Sequence, residues 1–164
     1  MTTNVIPSPV TANGLVYVMS GFRGAALQAI RLEGAKGYLG DTDCVQWTHD
    51  RNTPYTPSGL LYDGLLYFTR VNTGVLSCLE AADGTVHYEG ARLEGVRELY
   101  ASPVGADGRV YIPSREGVTS VIQAGKEFKL LATNKLDDCF DASPVVVGKE
   151  LYLRGKNLYC LAED

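Results

Sequence analysis

Apolar residues fall in short runs of four to six along this chain, rich in Val, Ile, Leu and Tyr, and clusters of Gly, Asp, Asn and Pro separate them. No segment sustains a 3.6-residue apolar period, so the pattern predicts strands and turns rather than helices. The runs LVYVMS (15–20), LLYFTR (65–70), RVYIPS (109–114) and ELYLR (150–154) each follow a turn signal: Asn13-Gly14, Asp63-Gly64, Asp107-Gly108 and, more loosely, Gly148-Lys149. Asn-Gly and Asp-Gly supply the positive φ that a tight hairpin needs. A third run follows a small polar loop, as ALQAIR (26–31), VLSCLE (75–80), VTSVIQ (118–123) and NLYCLA (157–162). A fourth run follows in three groups only: CVQWTH (44–49), TVHYEG (85–90) and FKLLAT (128–133). The chain is expected to be essentially all β.

The groups repeat. Ser8-Pro9-Val10, Ser58-Gly59-Leu60, Ser102-Pro103-Val104 and Ser143-Pro144-Val145 are each followed, nine residues after the Ser, by Tyr17, Tyr67, Tyr111 and Tyr152. Successive Ser positions differ by 50, 44 and 41 residues, the period of a four-stranded propeller blade rather than of a helical or leucine-rich repeat. In the third runs one column reads Ala29, Cys78, Val121, Cys160. It is small and apolar throughout, which predicts a buried position facing the neighbouring blade. The expected architecture is a partial β-propeller of antiparallel four-stranded blades, about 3.75 per chain, with blades at approximately 6–53, 54–98, 99–139 and 140–164.

The unit SPV-x-x-D/N-G-x-V-Y-x-x-S, followed by x-Y/x-C/A-L and x-x-D-G-x-V, resembles the repeat of the PQQ-like (quinoprotein-like, BamB-like) propeller family over nearly the whole chain. That motif encodes strands and turns, not a reaction. In the family's enzymes the resemblance implies a quinone held over the central channel by a stacked tryptophan, a vicinal disulfide and acidic calcium ligands. Here Trp47 is the only tryptophan and stands in an outer strand, and no two cysteines are adjacent. The reading therefore carries over the fold and leaves the cofactor and the activity behind: no catalytic residue, cofactor or metal is expected.

Composition narrows the partners. With 45% hydrophobic and 21% charged residues the chain has the balance of a soluble globular protein. A net charge of −4 provides no basic field for a nucleic-acid backbone. No apolar stretch approaches the roughly 20 residues of a membrane span, and MTTNVIPSPV lacks the basic and apolar regions of a signal segment. The chain as written is thus expected to stay where it is made, although the family it resembles is often exported. Cys44, Cys78, Cys139 and Cys160 show no metal-ligand or disulfide spacing and are expected to be free thiols.

Candidate chemistry lies in the loops. The segments joining second to third strands carry Arg23, Arg70, Arg115 and Arg154, one per blade. A ring of Arg suits bidentate recognition of carboxylate or phosphate; the alternative is salt bridging to acidic residues in the same layer. The blade-joining segments carry His49 and Arg51, then Arg97, Glu98 and Tyr100, then Asp137, Asp138, Phe140 and Asp141, with Tyr55 just before the second blade. Tyr55, Tyr100 and Phe140 are placed either to line a pocket at the axis or to pack between blades. His49 and His87 stand in different blades, which argues against a joint acid–base or metal role. Trp47 and Tyr88 are expected to cover the blade rim, and SGFRG (20–24) lacks the setting of a phosphate loop.

An arc of blades leaves two apolar faces open, more than a soluble monomer usually exposes. Two remedies are expected to compete: Met1 to Val5 adds an outer strand to the last blade, or two chains join into one eight-bladed ring. The sequence favours the homodimer and a non-enzymatic scaffold that binds a protein or peptide partner. The alternatives are a ligand- or quinone-dependent propeller whose site forms only in the closed ring, and a fragment of a longer propeller.

Overall fold

The structure, a computed structural model, describes residues 1–40 and 42–162. Its strands form four separate antiparallel sheets in chain order. The first holds β1 (Val10–Ala12), β2 (Leu15–Ser20), β3 (Ala26–Arg31) and β4 (Val45–His49). The second holds β5 (Leu60–Tyr62), β6 (Leu65–Thr69), β7 (Val75–Glu80) and β8 (Val86–Arg92). The third holds β9 (Val104–Ala106), β10 (Arg109–Pro113), β11 (Val118–Gln123) and β12 (Leu130–Lys135). The fourth has three strands among the described residues: β13 (Val145–Val147), β14 (Glu150–Arg154) and β15 (Leu158–Ala162).

Turn chemistry sets each blade's register. Asn13, Asp63 and Asp107 all sit near φ +50° with a positive-φ glycine next in the chain, the pair of conformations that a type I′ hairpin requires. The pairings Ala12↔Leu15, Tyr62↔Leu65 and Ala106↔Arg109 follow from these two-residue loops, and Val147↔Glu150 from Gly148-Lys149, in which only Gly148 has a positive φ. Each column tyrosine is then placed opposite the small residue of the third strand: Tyr17↔Ala29, Tyr67↔Cys78, Tyr111↔Val121 and Tyr152↔Cys160. The third and fourth strands also share an irregularity. In every complete blade the fourth strand carries one extra residue beside that column: Gln46, His87 and Leu131. These are β-bulges, which raise the local twist of the outer strand.

The core lies between blades rather than within them. First strands of successive blades run next to each other, which gathers them at a common hub. One apolar cluster joins Tyr17, Met19, Leu27 and Ala29 of blade 1 to Leu66, Phe68, Leu79 and Ala81 of blade 2. A second joins Tyr67, Leu76 and Cys78 of blade 2 to Val110, Ile112, Val118 and Ile122 of blade 3. Side chains alternate across each strand, so every blade presents a forward face to its successor and a rear face to its predecessor. Trp47, expected at the rim, instead reaches into this joint: its Nε1–H donates to Ala81 O at 3.2 Å and its ring lies against Gly84 of blade 2.

Two expectations are corrected. Cys160 is exposed, because the small-residue column is buried only where another blade follows. Met1 to Val5 do not form an outer strand on blade 4: Asn4 bridges Phe22, and the Thr2 N–H donates to Ser20 Oγ at 2.8 Å, so this segment lies on blade 1's own loop.

Candidate functional site

Each blade joint carries one repeated polar contact. Just before the first strands, Ser8 N–H donates to Ser58 Oγ, Ser58 N–H to Ser102 Oγ, and Ser102 N–H to Ser143 Oγ, all at 2.9 Å. The repeated serine of the sequence is therefore a relay, with the backbone of one blade bonded to the side chain of the next. Among the described residues nothing donates to Ser8 Oγ and nothing accepts from Ser143 N–H. Two of the column tyrosines reach across as well. Tyr17 OH donates to Ala81 O at 2.9 Å, and Tyr67 OH accepts from Gly125 N–H at 2.8 Å. Tyr152 has no following blade among the described residues, and its hydroxyl turns back to Glu150 of its own strand.

The end faces are apolar surfaces that inner blades bury. Leu27 and Leu76 are fully buried, whereas Leu158, in the same column of blade 4, is 69% exposed. Val145 and Val147, on the first strand of the same blade, are 54% and 57% exposed. On the rear of blade 1, Val16 and Val18 are half-buried where blade 2 has the fully buried Leu66 and Phe68, and Leu32 is 51% exposed. Burial also governs chemistry: it pushes the Cys78 thiol up to about 12, so this thiol stays protonated.

The loop layer is held by side chains that cap backbone. Thr53 Oγ1 donates to Ser20 O and accepts from Ala26 N–H, Asn72 Oδ1 accepts from Thr56 N–H, and Glu116 accepts from the N–H groups of Arg97 and Glu98. Thr53, Asn72 and Glu116 were not expected from the sequence. Asn72 and Glu116 stand five residues beyond their column tyrosines, Tyr67 and Tyr111, whereas Thr53 lies in a blade-joining segment, and the three share no residue type. Asp138 does the same for the last blade, accepting from Lys156 N–H and Asn157 N–H at 3.0 Å, from Cys139 N–H at 2.7 Å and from Tyr159 OH at 3.2 Å. Those donors, the backbone N–H of Lys156 first, hold its carboxyl well below the usual carboxylate range.

A carboxyl with a depressed folded-state pKa stabilises the fold fully above its unfolded value of about 4, and loses that contribution as pH falls towards the folded value. Asp138→Asn is therefore expected to flatten the acid limb of a stability-versus-pH curve below about pH 4. Urea melts of both proteins from pH 2 to pH 7 check this, and parallel acid limbs would contradict it.

The expected site residues differ in their surroundings, and the Arg23 guanidinium lies 5.3 Å over the Phe22 ring. Arg115 is packed: Nε lies 2.8 Å from Asp141, Nη1 lies 3.2 Å from Glu98, and the guanidinium sits 4.7 Å over the Tyr100 ring. Phe140 is fully buried and meets Tyr159 of blade 4 edge-on. Tyr55 stacks on Phe22 at 4.8 Å and keeps part of its surface. Arg23, Arg70 and Arg154 are exposed and have no carboxylate partner among the described residues. They stand six, three and two residues beyond their column tyrosines, and Arg115 four beyond its own, so the four arginines occupy different places in the repeat. His49 meets Glu89 of blade 2 at 3.1 Å and His87 meets Glu80 at 3.2 Å, two separate pairs. Among the described residues no group of three His, Cys, Asp or Glu is placed to hold a metal, and no helix is long and apolar enough to cross a membrane.

Comparison with solved structures fixes the fold as a β-propeller. The computationally designed Ika4 protein superposes with a TM-score of 0.69 at 11% identity, over 99% of this chain and 93% of its own. The WD40 domain of Neurospora crassa Pan2 gives 0.67 at 10% identity, over 97% of this chain and 47% of its own. Quinohemoprotein alcohol dehydrogenase from Comamonas testosteroni gives 0.66 at 16% identity, over 93% of this chain and 29% of its own. The chain thus spans under half of the last two and nearly all of the first. At these identities the likeness is one of fold. No protein-family model and no curated protein matches the sequence.

Proposed function

We propose that this chain is a non-catalytic propeller scaffold whose forward face on blade 4 docks on the rear face of blade 1 of a second copy, so that two arcs close one eight-bladed ring. The observation that carries the reading is the serine relay with both ends open. Among the described residues Ser143 N–H lacks the acceptor, and Ser8 Oγ the donor, that every internal joint supplies. The apolar faces are complementary in the same sense, since Leu158 and Val145 stand where Leu27 and Val10 meet a rear face, and Val16 and Val18 stand where Leu66 and Phe68 meet a forward one. A ring of this kind presents its loop layer, with Tyr55, Tyr100 and the exposed Arg23, Arg70 and Arg154, as a rigid surface for a protein or peptide partner.

A head-to-tail joint makes a distinctive prediction. Leu158→Arg spoils every forward face and Val18→Asp every rear face, so each variant alone is expected to run as a monomer. Mixed in equal amounts, they can build a ring with one unaltered joint and one joint that pairs Arg with Asp, and dimer is expected to return. Sedimentation velocity on the two variants and their mixture reads this directly. A mixture that stays monomeric, or single variants that stay dimeric, would count against the reading.

A further inference from the structure

A groove runs along the loop layer of blade 2, between the β6–β7 connection and the segment that leaves β8. Thr73, Gly74 and Val75 form one wall and residues of the 92–97 segment the other, around about 420 Å³ of open volume. The walls are fastened together: Leu93 N–H donates to Gly74 O at 2.8 Å, and Leu99 N–H to Asn72 O at 2.9 Å. Gly74 lets them meet, since a Cβ there would come within 2.6 Å of Val96 O. A site held by backbone bonds exists before its ligand arrives, which removes the cost of ordering it on binding. All of it lies within blade 2 and the segment leading to blade 3.

Charge and polarity determine what fits. Leu93 and Val96 are core residues, 3% and 9% exposed, and with the half-buried Val75 they give the floor a small apolar area. Such a floor takes one apolar side chain. Exposed Arg92 and Arg97 stand on the rim with a single carboxylate, Glu94. Exposed Arg70 opens the same connection, where its C=O accepts from Thr73 N–H at 2.9 Å. Among the described residues neither Arg70 nor Arg92 has a carboxylate partner. Arg97 has Glu116 at 4.0 Å and keeps 88% of its side chain exposed, while Glu116 Oε2 is taken by the N–H groups of Arg97 and Glu98. In a chain of net charge −4, three arginines against one carboxylate reverse the local field.

We propose that this groove binds an acidic peptide segment of a partner protein, with one apolar side chain on the Leu93–Val96 floor and flanking carboxylates on Arg70, Arg92 and Arg97. The floor distinguishes such a segment from a bare anion, and the negative net charge of the chain disfavours a polyanion such as nucleic acid. The proposal rests on the loop layer as the partner surface and is independent of ring closure.

A fluorescein-labelled peptide with one leucine between two pairs of glutamates is titrated against the full chain by anisotropy, beside analogues carrying glutamine for glutamate or serine for leucine. Saturable binding of the first is expected, weakened about tenfold or more by glutamine and about fivefold or more by serine. Arg92→Gln and Arg97→Gln should each weaken it about threefold and the double variant about tenfold, with an unchanged melting temperature, since both side chains are exposed. Lys129→Gln removes the same charge from the β11–β12 connection, at the opposite end of the strands, and should leave binding unchanged. The proposal is overturned if the first peptide does not saturate, if the glutamine analogue binds equally well, or if the double variant binds like the parent. It is likewise overturned if the serine analogue binds equally well, which would mark an anion site only, or if Lys129→Gln weakens binding as much as Arg97→Gln. A monomeric chain that binds the peptide would reject ring closure and keep the groove; a dimer that does not bind it would reject the groove alone.

Discussion

Phe140→Ala is expected to lower the stability of the chain by about 3–5 kcal/mol, the usual cost of truncating a fully buried Phe. The reason is position. Phe140 has no exposed surface, its N–H donates to Ser114 O of blade 3 at 3.3 Å, and its ring meets Tyr159 of blade 4. It fastens the last blade to the rest of the arc through a segment that also contributes Asp138 and Asp141. Loss of the ring should therefore free blade 4 first, with limited proteolysis cutting between blades 3 and 4 before the remainder opens. Denaturant melts with proteolysis read both effects. A change below about 0.5 kcal/mol, the range of surface substitutions, would contradict this packing role of Phe140.

Gly117→Ala should cost about 3 kcal/mol, from left-handed backbone strain and steric overlap together. Gly117 lies at φ +73°, and a Cβ there would meet Leu136 O at 2.2 Å and Asp138 O at 2.5 Å. Both obstacles are backbone of the segment leading into blade 4, and Leu136 N–H is itself bonded to Gly117 O. No side-chain rotation relieves the overlap, so the segment would have to move and carry Asp138 away from the turn it caps. Thermal unfolding of Gly117→Ala beside Gly108→Ala separates the two causes. Gly108 shares the positive φ, at +67°, but its Cβ would meet nothing within 4 Å. Near-equal losses would show that the close approach contributes little.

What the sequence revealed and what it concealed divide along physical lines. Strands and turns were legible because alternation and positive-φ residues act locally: LVYVMS, ALQAIR and VLSCLE became β2, β3 and β7 residue for residue. The repeated serine was visible as a column, yet its role was not, because a relay from N–H to the next blade's Oγ exists only once blades are adjacent. Cys160 was misplaced for a related reason. A column identifies which way a residue faces but says nothing of whether a neighbour stands there. Loop chemistry was least legible. Arg115 met carboxylates from two joining segments, while Arg23, Arg70 and Arg154 met none among the described residues, and their unequal steps from the column tyrosines gave no common place to read. The N-terminal residues could as well have crossed to blade 4; the contact of Asn4 with Phe22 is settled by tertiary packing.

Ring closure by a second copy doubles the solution mass of the unaltered chain. Light scattering coupled to gel filtration, across a range of loading concentrations, is predicted to give twice the 17.7 kDa chain mass. A mass of one chain at every concentration would contradict the account, as would open-ended growth with concentration, which is the signature of head-to-tail faces that meet without closing.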